Sequence, residues 1–435
     1  MIYPFVPDPG AAQCALLAAE FDRFCRLPMA NQNDVVGRQL FDLLQIAVKH
    51  SRYWQDRIGS LASGRALTDL PVMTRHELQQ FSQEMRTEPA VEGGTGLSDP
   101  LLTRTSGSTG VPVEVLRHRA LYPLMFHAVT LLEARWHGID PLKTMAVIKD
   151  APDGTQPHWG LPFSGLGPTG KLLVKNLVEH DDQTLWTWLN DQTADYLLTT
   201  PSLLQRFSDL AFDGASAQRF EKILTFGEVV SESLRAACVE KFGARLVDRY
   251  TSEEIGWIAL QCPRHDHYHV LSPTCLVELV DEHNQLVPPG VPGRVLVTSL
   301  HSYAQPLIRY DIGDVAEAGG PCDCGLNLPV LKRIHGRQRS FLKLPDGSQM
   351  LARLTGEYWR QIAPVEAFRL VQQDDGMVEA MVEAARLLLP HELSALEKML
   401  KDRLSDKLVF RVKQVSKIAW NHRWKRIDVM GSRGI

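Results

Sequence analysis

A hydroxyl-rich run, Thr105-Ser106-Gly107-Ser108-Thr109-Gly110, lies between apolar segments at Leu101-Leu102 and Val113–Val115. Its two glycines allow backbone N–H groups and hydroxyls to converge on one anion, as they do in phosphate-binding loops. The run is not a GxxxxGK[ST] P-loop, because no lysine follows the second glycine. A flexible surface loop is the alternative interpretation, and the apolar flanks favour an anion-binding loop over it.

Two acidic motifs follow predicted strands. Glu253 and Glu254 come directly after Arg249–Ser252, and the carboxyl ends of strands in an α/β sheet are where Mg²⁺ ligands or polar substrate contacts lie. A solvated turn is the other interpretation of Glu253. Asp314 follows a glycine in RYDIGD, where its two oxygens could accept from both hydroxyls of a ribose. Asp-Gly turns are common, so this motif carries little by itself.

Three of the seven cysteines lie in a pattern typical of metal sites. Cys262 and His265 form a C-x2-H knuckle, and Cys322 and Cys324 form a C-x-C turn further along the chain. Three thiolates and one imidazole would make a closed tetrahedral zinc site. His269, in the strand after the knuckle, could replace His265 as the fourth ligand. Free cysteines without a metal are the alternative.

Several elements must position these residues. Apolar residues at helical spacing predict helices within residues 11–60, and Thr74 followed by Glu77 fits a capping box. From about 140 to 300 short β-rich runs alternate with helical ones, which favours a mostly parallel sheet covered by helices, with hairpin-like strands after 266. Beyond His335 a β-β-α-β order predicts a small α+β domain. The predicted class is therefore α/β, with a large domain over 1–335 and a smaller one over 336–435.

Length and composition exclude several classes of protein. The 435 residues include 44% hydrophobic and 23% charged ones and carry a formal net charge of −4. That balance excludes a disordered chain and supplies no field for nucleic acid. No apolar run reaches the roughly 18 residues that a bilayer crossing needs. The beginning of the sequence lacks a signal-peptide pattern, so we expect a cytoplasmic protein that binds neither membrane nor nucleic acid.

Taken together, these motifs resemble the adenylate-forming superfamily, and more narrowly its phenylacetate–CoA ligase branch, including the capsule-associated and F390-synthetase-like members. The resemblance extends from about residue 45 to 430. The similar segments are, in chain order, LTDLPVMTRHELQQF, TSGSTGVP, FGEVVSESLR, RYTSEEIGWIALQC, PLIRYDIGD and HGRQRSFLKLPDG. Each segment alone is a weak indication of the family, whereas all of them together in this order indicate it specifically. The resemblance implies a large α/β adenylate-forming domain and a mobile C-terminal lid.

The resemblance also implies roles for individual residues. Thr105 to Gly110 would close over the β- and γ-phosphates of ATP, and Glu254 would bind Mg²⁺. The remaining nucleotide and acid contacts would come from Gly227, Glu228, Tyr250, Asp314 and Arg337. Trp257 is either a flat pocket wall or a core residue. Further pocket side chains are expected around 124–132, 200–206 and 226–257. Because this branch often carries zinc, Cys262, His265, Cys322 and Cys324 are expected to form a structural zinc site within 262–325.

The implied reaction joins ATP and a small carboxylic acid, aryl or arylalkyl, to give acyl-AMP and pyrophosphate. The acyl group would then pass to coenzyme A. A carrier-protein thiol, an amine or a hydroxyl are alternative acceptors, and a degenerate homologue that binds nucleotide without turnover is a further alternative. Members of the branch are often dimers, so a homodimer is expected from the resemblance alone.

The chain departs from the family pattern in three places. Arg423 stands where the catalytic lysine of the lid is usual, and Lys425 lies two residues on. Arginine neutralises phosphate as a planar fork rather than as a point charge. Arg339 or Ser340 replaces the acidic residue of the hinge. Glu253 precedes the Mg²⁺ glutamate in place of a hydroxyl residue, so a shifted register would make Glu253 the ligand.

Overall fold

The protein forms two compact units, one made of residues 1–312 and 316–334 and one made of 313–315 and 335–435. The computed structural model describes residues 8–59, 66–87, 100–104, 113–210, 219–337, 341–347, 349–352, 354, 356–418 and 429–431. Within these segments, no helix combines the length and the apolar character that crossing a bilayer requires.

Several helices begin or end at residues that satisfy free backbone groups. At the first helix Asp8 Oδ1 accepts from Ala11 N at 2.7 Å, and Gly138, in the left-handed conformation, ends the helix that begins at Leu121. The described helices are α1 Pro9–Cys25, α2 Met29–His50, α3 Arg52–Ile58, α4 Arg75–Gln80, α5 Leu121–His137, α6 Phe163–Leu166, α7 Asp182–Asp191, α8 Pro201–Leu210, α9 Glu232–Phe242, α10 Gly356–Arg360 and α11 Pro390–Arg403.

The described strands are β1 Leu101–Arg104, β2 Glu114–Arg117, β3 Met145–Lys149, β4 Gly154–Gln156, β5 Leu172–Asn176, β6 Tyr196–Thr199, β7 Lys222–Thr225, β8 Arg245–Ser252, β9 Gly256–Gln261, β10 Tyr268–Val270, β11 Cys275–Val280, β12 Pro292–Ser299, β13 Tyr310–Ala318, β14 Val330–Arg337, β15 Phe341–Lys343, β16 Gln349–Leu351, β17 Val365–Gln372, β18 Val378–Ala384, β19 Phe410–Gln414 and β20 Val429–Met430. Most of them belong to one twelve-stranded sheet with the order β11-β12-β13-β14-β10-β9-β8-β7-β6-β3-β5-β4.

The sheet changes character at β8. Strands β5, β3, β6, β7 and β8 run parallel, whereas β9 returns antiparallel to β8 and β10 antiparallel to β9. The parallel strands are short apolar runs, and successive residues of β3, β6 and β7 are buried, so both faces of these strands are covered. The β8–β9 turn therefore lies where a strand of the parallel half reaches its carboxyl end, which is the position where α/β sheets bind ligands.

The second unit has its own sheet, with the order β19-β18-β17-β20, and its own core. β17 pairs antiparallel with β18, and β19 joins β18 in parallel. Leu396 and Leu400 of α11 are fully buried with Trp359, whose ring stacks on Phe368 at 4.7 Å between centroids. The α/β class and the β-β-α-β order of this region are confirmed, and β15, β16, α10 and β20 are additions that the sequence analysis did not predict.

Candidate active site

A tight turn between β8 and β9 carries the acidic motif. Ile255 N donates to Ser252 Oγ at 3.1 Å, and Gly256 adopts φ +91°. The backbone conformation favours glycine, and a Cβ at Gly256 would also lie close to the ring of Tyr122, 3.3 Å from its Cε2. The turn buries the side chain of Glu254, which is only 5% exposed.

Glu254 is held by a cation from a distant segment. Arg75 Nη1 lies 2.6 Å from Glu254 Oε1, and Arg75 is the first residue of α4. The predicted capping box at the start of this helix is confirmed, because Thr74 Oγ1 accepts from Glu77 N at 3.2 Å and Glu77 Oε2 accepts from Thr74 N at 2.7 Å. Arg57 also pairs with Glu77. A rigid helix start therefore aims Arg75 at the carboxylate.

Arg117, at the end of β2, places a second cation beside the turn. Its Nη2 donates to the carbonyl of Glu253, its Nε donates to Thr103 Oγ1 at 3.1 Å, and its guanidinium lies 3.7 Å from the centroid of the Tyr122 ring. Burial lowers the pKa of Arg117, although arginine remains protonated at neutral pH. In the described part of the chain no carboxylate forms an ion pair with it.

A pocket opens in front of these residues and encloses about 620 Å³ of space, part of it open to solvent. Its walls are rich in aromatic rings: Phe126 lies 5.5 Å from Trp257 and 6.1 Å from Tyr122, between ring centroids. The lining residues are Val115, Leu116, Arg117, His118, Leu121, Tyr122, Met125, Phe126, Val129, Glu254, Ile255, Gly256, Trp257, Thr274, Ser299, His301 and Ser302.

The other predicted residues of the first unit lie in different surroundings. Tyr250 is 7% exposed, packs in the main hydrophobic core and is not among the described residues that line the pocket. Gly227 adopts φ +77°, and the neighbouring Glu228 accepts from Ser202 N at 2.8 Å through Oε2. Residues 200–206 do not appear in the described lining either.

In the second unit, Arg337 Nε lies 3.1 Å from Asp314 Oδ1, and Asp314 is 7% exposed. These two predicted residues therefore contact each other directly. The hydroxyl-rich loop Thr105, Ser106, Gly107, Ser108, Thr109 and Gly110, the hinge residues Arg339 and Ser340, and Arg423 and Lys425 all lie outside the described residues.

The cysteine motifs converge on one cluster. The ligand atoms of Cys262, His269, Cys322 and Cys324 all lie within 4.8 Å of one another. Cys262 Sγ is 3.8 Å from Cys322 Sγ, and Cys324 Sγ is 3.2 Å from His269 Nε2. Burial lowers the pKa of His269 to about 4, so its imidazole is neutral and available as a ligand. Three thiols and one neutral imidazole fit a structural zinc site.

His265, the first candidate for the fourth ligand, lies at the tip of the turn between β9 and β10. Its side chain is 44% exposed and its Nε2 lies 2.6 Å from Asp323 Oδ1. Together with Cys322 and Asp323 it forms a second, more exposed group, which shares Cys322 with the first. His269 instead lies on β10, paired opposite Leu260, and is fully buried. The geometry brings His269, rather than His265, to the three cysteines.

Three charged or polar residues of this region escaped the sequence analysis: Arg75, Arg117 and His301. Arg75 lies within the LPVMTRHELQQF segment, whose similarity to a family motif was the available sign. Arg117 ends β2 at a buried position, as Val115 does two residues before it, and a buried arginine is unusual there. His301 follows β12 in a loop that has no motif, so no sequence feature pointed to it.

Comparison with solved structures relates the whole chain to known proteins, although no protein-family model and no curated protein matches it. The structure is similar to 2-hydroxyisobutyryl-CoA ligase in the postadenylation state with R3-HIB-AMP, at TM-score 0.69 and 17% identity, over 95% of this chain and 92% of that one.

Two further solved structures share the fold over most of the chain. The anthranilate CoA ligase AuaEII with anthranoyl-AMP matches at TM-score 0.54 and 15% identity, over 76% of this chain and 66% of that one. The ATP-bound RpMatB-BxBclM chimera B3 matches at TM-score 0.52 and 16% identity, over 74% and 65%. At these identities the likeness concerns the fold. The chain therefore has the fold of these CoA ligases, which is the fold that the resemblance of its motifs predicts.

Proposed function

We propose that the protein activates a small carboxylic acid with ATP, giving an acyl-adenylate and pyrophosphate, and then transfers the acyl group to the thiol of coenzyme A. One observation carries the proposal: the buried guanidinium of Arg117 lines an aromatic pocket beside the buried carboxylate of Glu254. A buried cation without a described carboxylate partner favours an anionic occupant. The carboxylate of an acid substrate meets this requirement, and the shared fold is consistent with it.

The body of the acid is proposed to be aryl or arylalkyl. Tyr122, Phe126 and Trp257 supply three rings to the pocket walls. Flat rings favour offset or edge-to-face contacts with another aromatic group. A flat, apolar body with one carboxylate matches a pocket of this composition better than a long acyl chain does.

In the adenylation step, an oxygen of the acid carboxylate attacks the α-phosphorus of ATP. The bond between the α-phosphorus and the bridging oxygen to the β-phosphate breaks, and pyrophosphate leaves with that electron pair. The protein's task is to orient the reactants and to neutralise charge. Glu254 would hold Mg²⁺ through its carboxylate, and the bound cation would neutralise phosphate charge. Arg75, 2.6 Å away, fixes the position of that carboxylate.

The remaining roles are proposed from the family resemblance. Thr105 to Gly110 would close over the β- and γ-phosphates, Gly227 and Glu228 would border the adenine, and Tyr250 would support that region from the core. In the second unit, Asp314 would accept from the ribose hydroxyls with Arg337 as its partner. Residues 336–435 would act as the lid, with Arg423 or Lys425 supplying the cation that the family usually takes from lysine.

A structural zinc ion is proposed at Cys262, His269, Cys322 and Cys324. All four positions of a tetrahedral ion would be filled by protein atoms, which is the arrangement of structural rather than catalytic zinc. Burial raises the pKa of Cys324 to about 12 in the protein alone. A bound metal cation has the opposite effect, because it deprotonates the thiols that coordinate it. The ion would crosslink the 262–269 segment to the 322–324 turn.

The decisive assay is pyrophosphate release by the purified protein with ATP, Mg²⁺ and pooled aryl and aliphatic acids, with hydroxylamine as a surrogate acceptor. We expect release that depends on the acid, and splitting the pool identifies the substrate class. Glu254→Gln should abolish it, whereas Glu232→Gln, at a side chain that is 83% exposed, should not. Binding of ATP without acid-dependent release would instead support the degenerate homologue.

In the second half-reaction, the acceptor thiol would attack the acyl carbonyl carbon, lose its proton to solvent and release AMP. Coenzyme A is the proposed acceptor. Once an acid is known, acyl transfer to coenzyme A is compared with transfer to a phosphopantetheinylated carrier protein, an amine and an alcohol. Faster transfer to any of the last three would replace coenzyme A as the acceptor while leaving the adenylation step unchanged.

A further inference from the structure

Two hydroxyls in the wall of the pocket are already engaged within the protein. Thr274 Oγ1 donates to the carbonyl of Leu271 at 2.9 Å. Ser302 Oγ donates to the carbonyl of Ser299 at 2.9 Å and accepts from Leu307 N at 3.1 Å. These side chains stabilise the loops that follow β10 and β12. They are therefore poorly placed to give up their bonds to a ligand.

His301, from the same wall, is different. Its Nε2 lies 2.9 Å from the carbonyl oxygen of Pro273. A carbonyl only accepts, so Nε2 carries the hydrogen and the neutral ring presents Nδ1 as an acceptor. Burial lowers the pKa of His301, which favours this neutral form. In the described part of the chain no group donates to Nδ1.

His118 presents the opposite polarity to the same pocket. Its Nδ1 accepts from Ala120 N at 3.2 Å and Leu121 N at 3.1 Å, so the hydrogen of its ring resides on Nε2. The neighbouring Arg117 is a donor only. The lining thus combines donors suited to a carboxylate, at Arg117 and His118, with acceptors at Glu254 and His301. Of these two acceptors, Glu254 is already paired with Arg75.

Building on the proposed function, we propose that His301 selects acids whose aryl body carries a hydrogen-bond donor, a hydroxyl or an amino group, which donates to Nδ1 of its ring. A plain hydrocarbon body would desolvate this nitrogen without giving it a partner. Sites built to bond a substrate hydroxyl or amine reject analogues that lack it more strongly than apolar pockets reject a change in size. His301 is in this account a specificity-determining residue of the acid pocket.

The test compares matched acids on the intact protein by isothermal titration, without ATP, so that it does not depend on turnover. The acids are benzoate and its hydroxy, amino and methoxy derivatives at each ring position. We expect the hydroxybenzoate or aminobenzoate substituted at one ring position to bind at least tenfold more tightly than both benzoate and the methoxybenzoate of similar shape. Equal affinities of the hydroxy and methoxy acids at all positions would overturn the proposal.

A variant assigns the effect to the residue. His301→Leu should remove the preference for the hydroxy over the methoxy acid, whereas His301→Gln, which retains an acceptor, should keep part of it. A preference that survives in folded His301→Leu would overturn the assignment. If that variant does not fold, the comparison of acids on the native protein still tests whether the pocket prefers a hydrogen-bond donor on the aryl ring. Selective binding without pyrophosphate release would contradict the proposed function while supporting this inference, so the two failures are distinguishable.

Discussion

Replacing Arg75 with glutamine removes the guanidinium that lies 2.6 Å from Glu254. Loss of one partner from a fully buried ion pair costs about 3–5 kcal/mol, whereas exposed pairs contribute about 0.2–1 kcal/mol. Here the side chain of Glu254 is 5% exposed and that of Arg75 is 23% exposed, so the pair is intermediate. We expect the free energy of unfolding to fall by about 2 kcal/mol.

A double-mutant cycle isolates this pair from other effects of the substitution. The free energies of unfolding in urea are measured for the native protein, Arg75→Gln, Glu254→Gln and the double variant. Because Glu254→Gln removes the charge that needs a partner, Arg75→Gln should cost much less in that background, with a coupling energy of about 2 kcal/mol. An equal cost of Arg75→Gln in both backgrounds would refute the reasoning.

Arg104→Gln is the matched control for this cycle. Its guanidinium lies 2.8 Å from Glu114, yet the side chain is 70% exposed. The expected loss is below about 1 kcal/mol.

In the Arg75→Gln variant, Mg²⁺ with ATP should raise the melting temperature more than it does in the native protein, since the cation would replace the missing counter-charge of Glu254. A smaller rise would count against Glu254 as the metal ligand.

Three further predictions concern other parts of the chain. Burial lowers the pKa of His137 to about 3, so as the pH falls the unfolded chain takes up a proton on this residue before the folded protein does. The contribution of neutral His137 to the free energy of unfolding is complete above about pH 6.5, and it falls by up to about 1.4 kcal/mol per pH unit toward pH 3. His137→Gln should flatten this slope in urea titrations at several pH values. Metal analysis should find one zinc per chain that His269→Ala removes and His265→Ala retains; the reverse pattern would identify His265 as the ligand. Gly256→Ala should lower the free energy of unfolding by about 1–2 kcal/mol because φ there is +91°, and a calorimetric melting temperature equal to that of the native protein would contradict this.

Local patterns were sufficient to predict much of the fold. The start of α4 follows from the spacing of Thr74 and Glu77, because both partners of its capping box lie within one turn. The parallel strands β3, β6 and β7 are apolar runs between helical segments, and burial on both faces requires that composition. The β15–β16 hairpin was not predicted, because its three-residue strands are too short to display an alternating pattern.

The candidate site depends on contacts that local patterns do not encode. The motifs indicated Glu254, but its partner Arg75 is distant in the sequence and becomes its neighbour only through packing of α4 near the β8–β9 turn. The spacing of the cysteine motifs allowed either His265 or His269 as the fourth ligand. The reversal of the chain after Cys262, whose N–H bonds the carbonyl of His267 at 2.8 Å, leaves His265 exposed at the turn and returns His269 to the cluster.

The pocket beside Glu254 shows the same dependence on packing. Its lining includes Phe126, Glu254 and Trp257, which lie within 124–132 and 226–257, where the family resemblance predicts pocket side chains. His301 comes from a loop between β12 and β13 whose sequence has no distinctive feature, and only the tertiary structure brings it to the pocket. Polar lining residues such as His301 are placed by such long-range packing, so the sequence alone does not identify them.

Transfer of oxygen from the acid to AMP tests the central claim most directly. The protein is incubated with ATP, Mg²⁺, coenzyme A and an accepted acid whose carboxylate carries ¹⁸O, and the products are analysed by mass spectrometry. Attack of the carboxylate on the α-phosphorus, followed by thiolysis of the acyl-adenylate, predicts AMP that contains one ¹⁸O, together with unlabelled pyrophosphate. Formation of ADP with labelled inorganic phosphate, or of AMP without label, would contradict activation by adenylation.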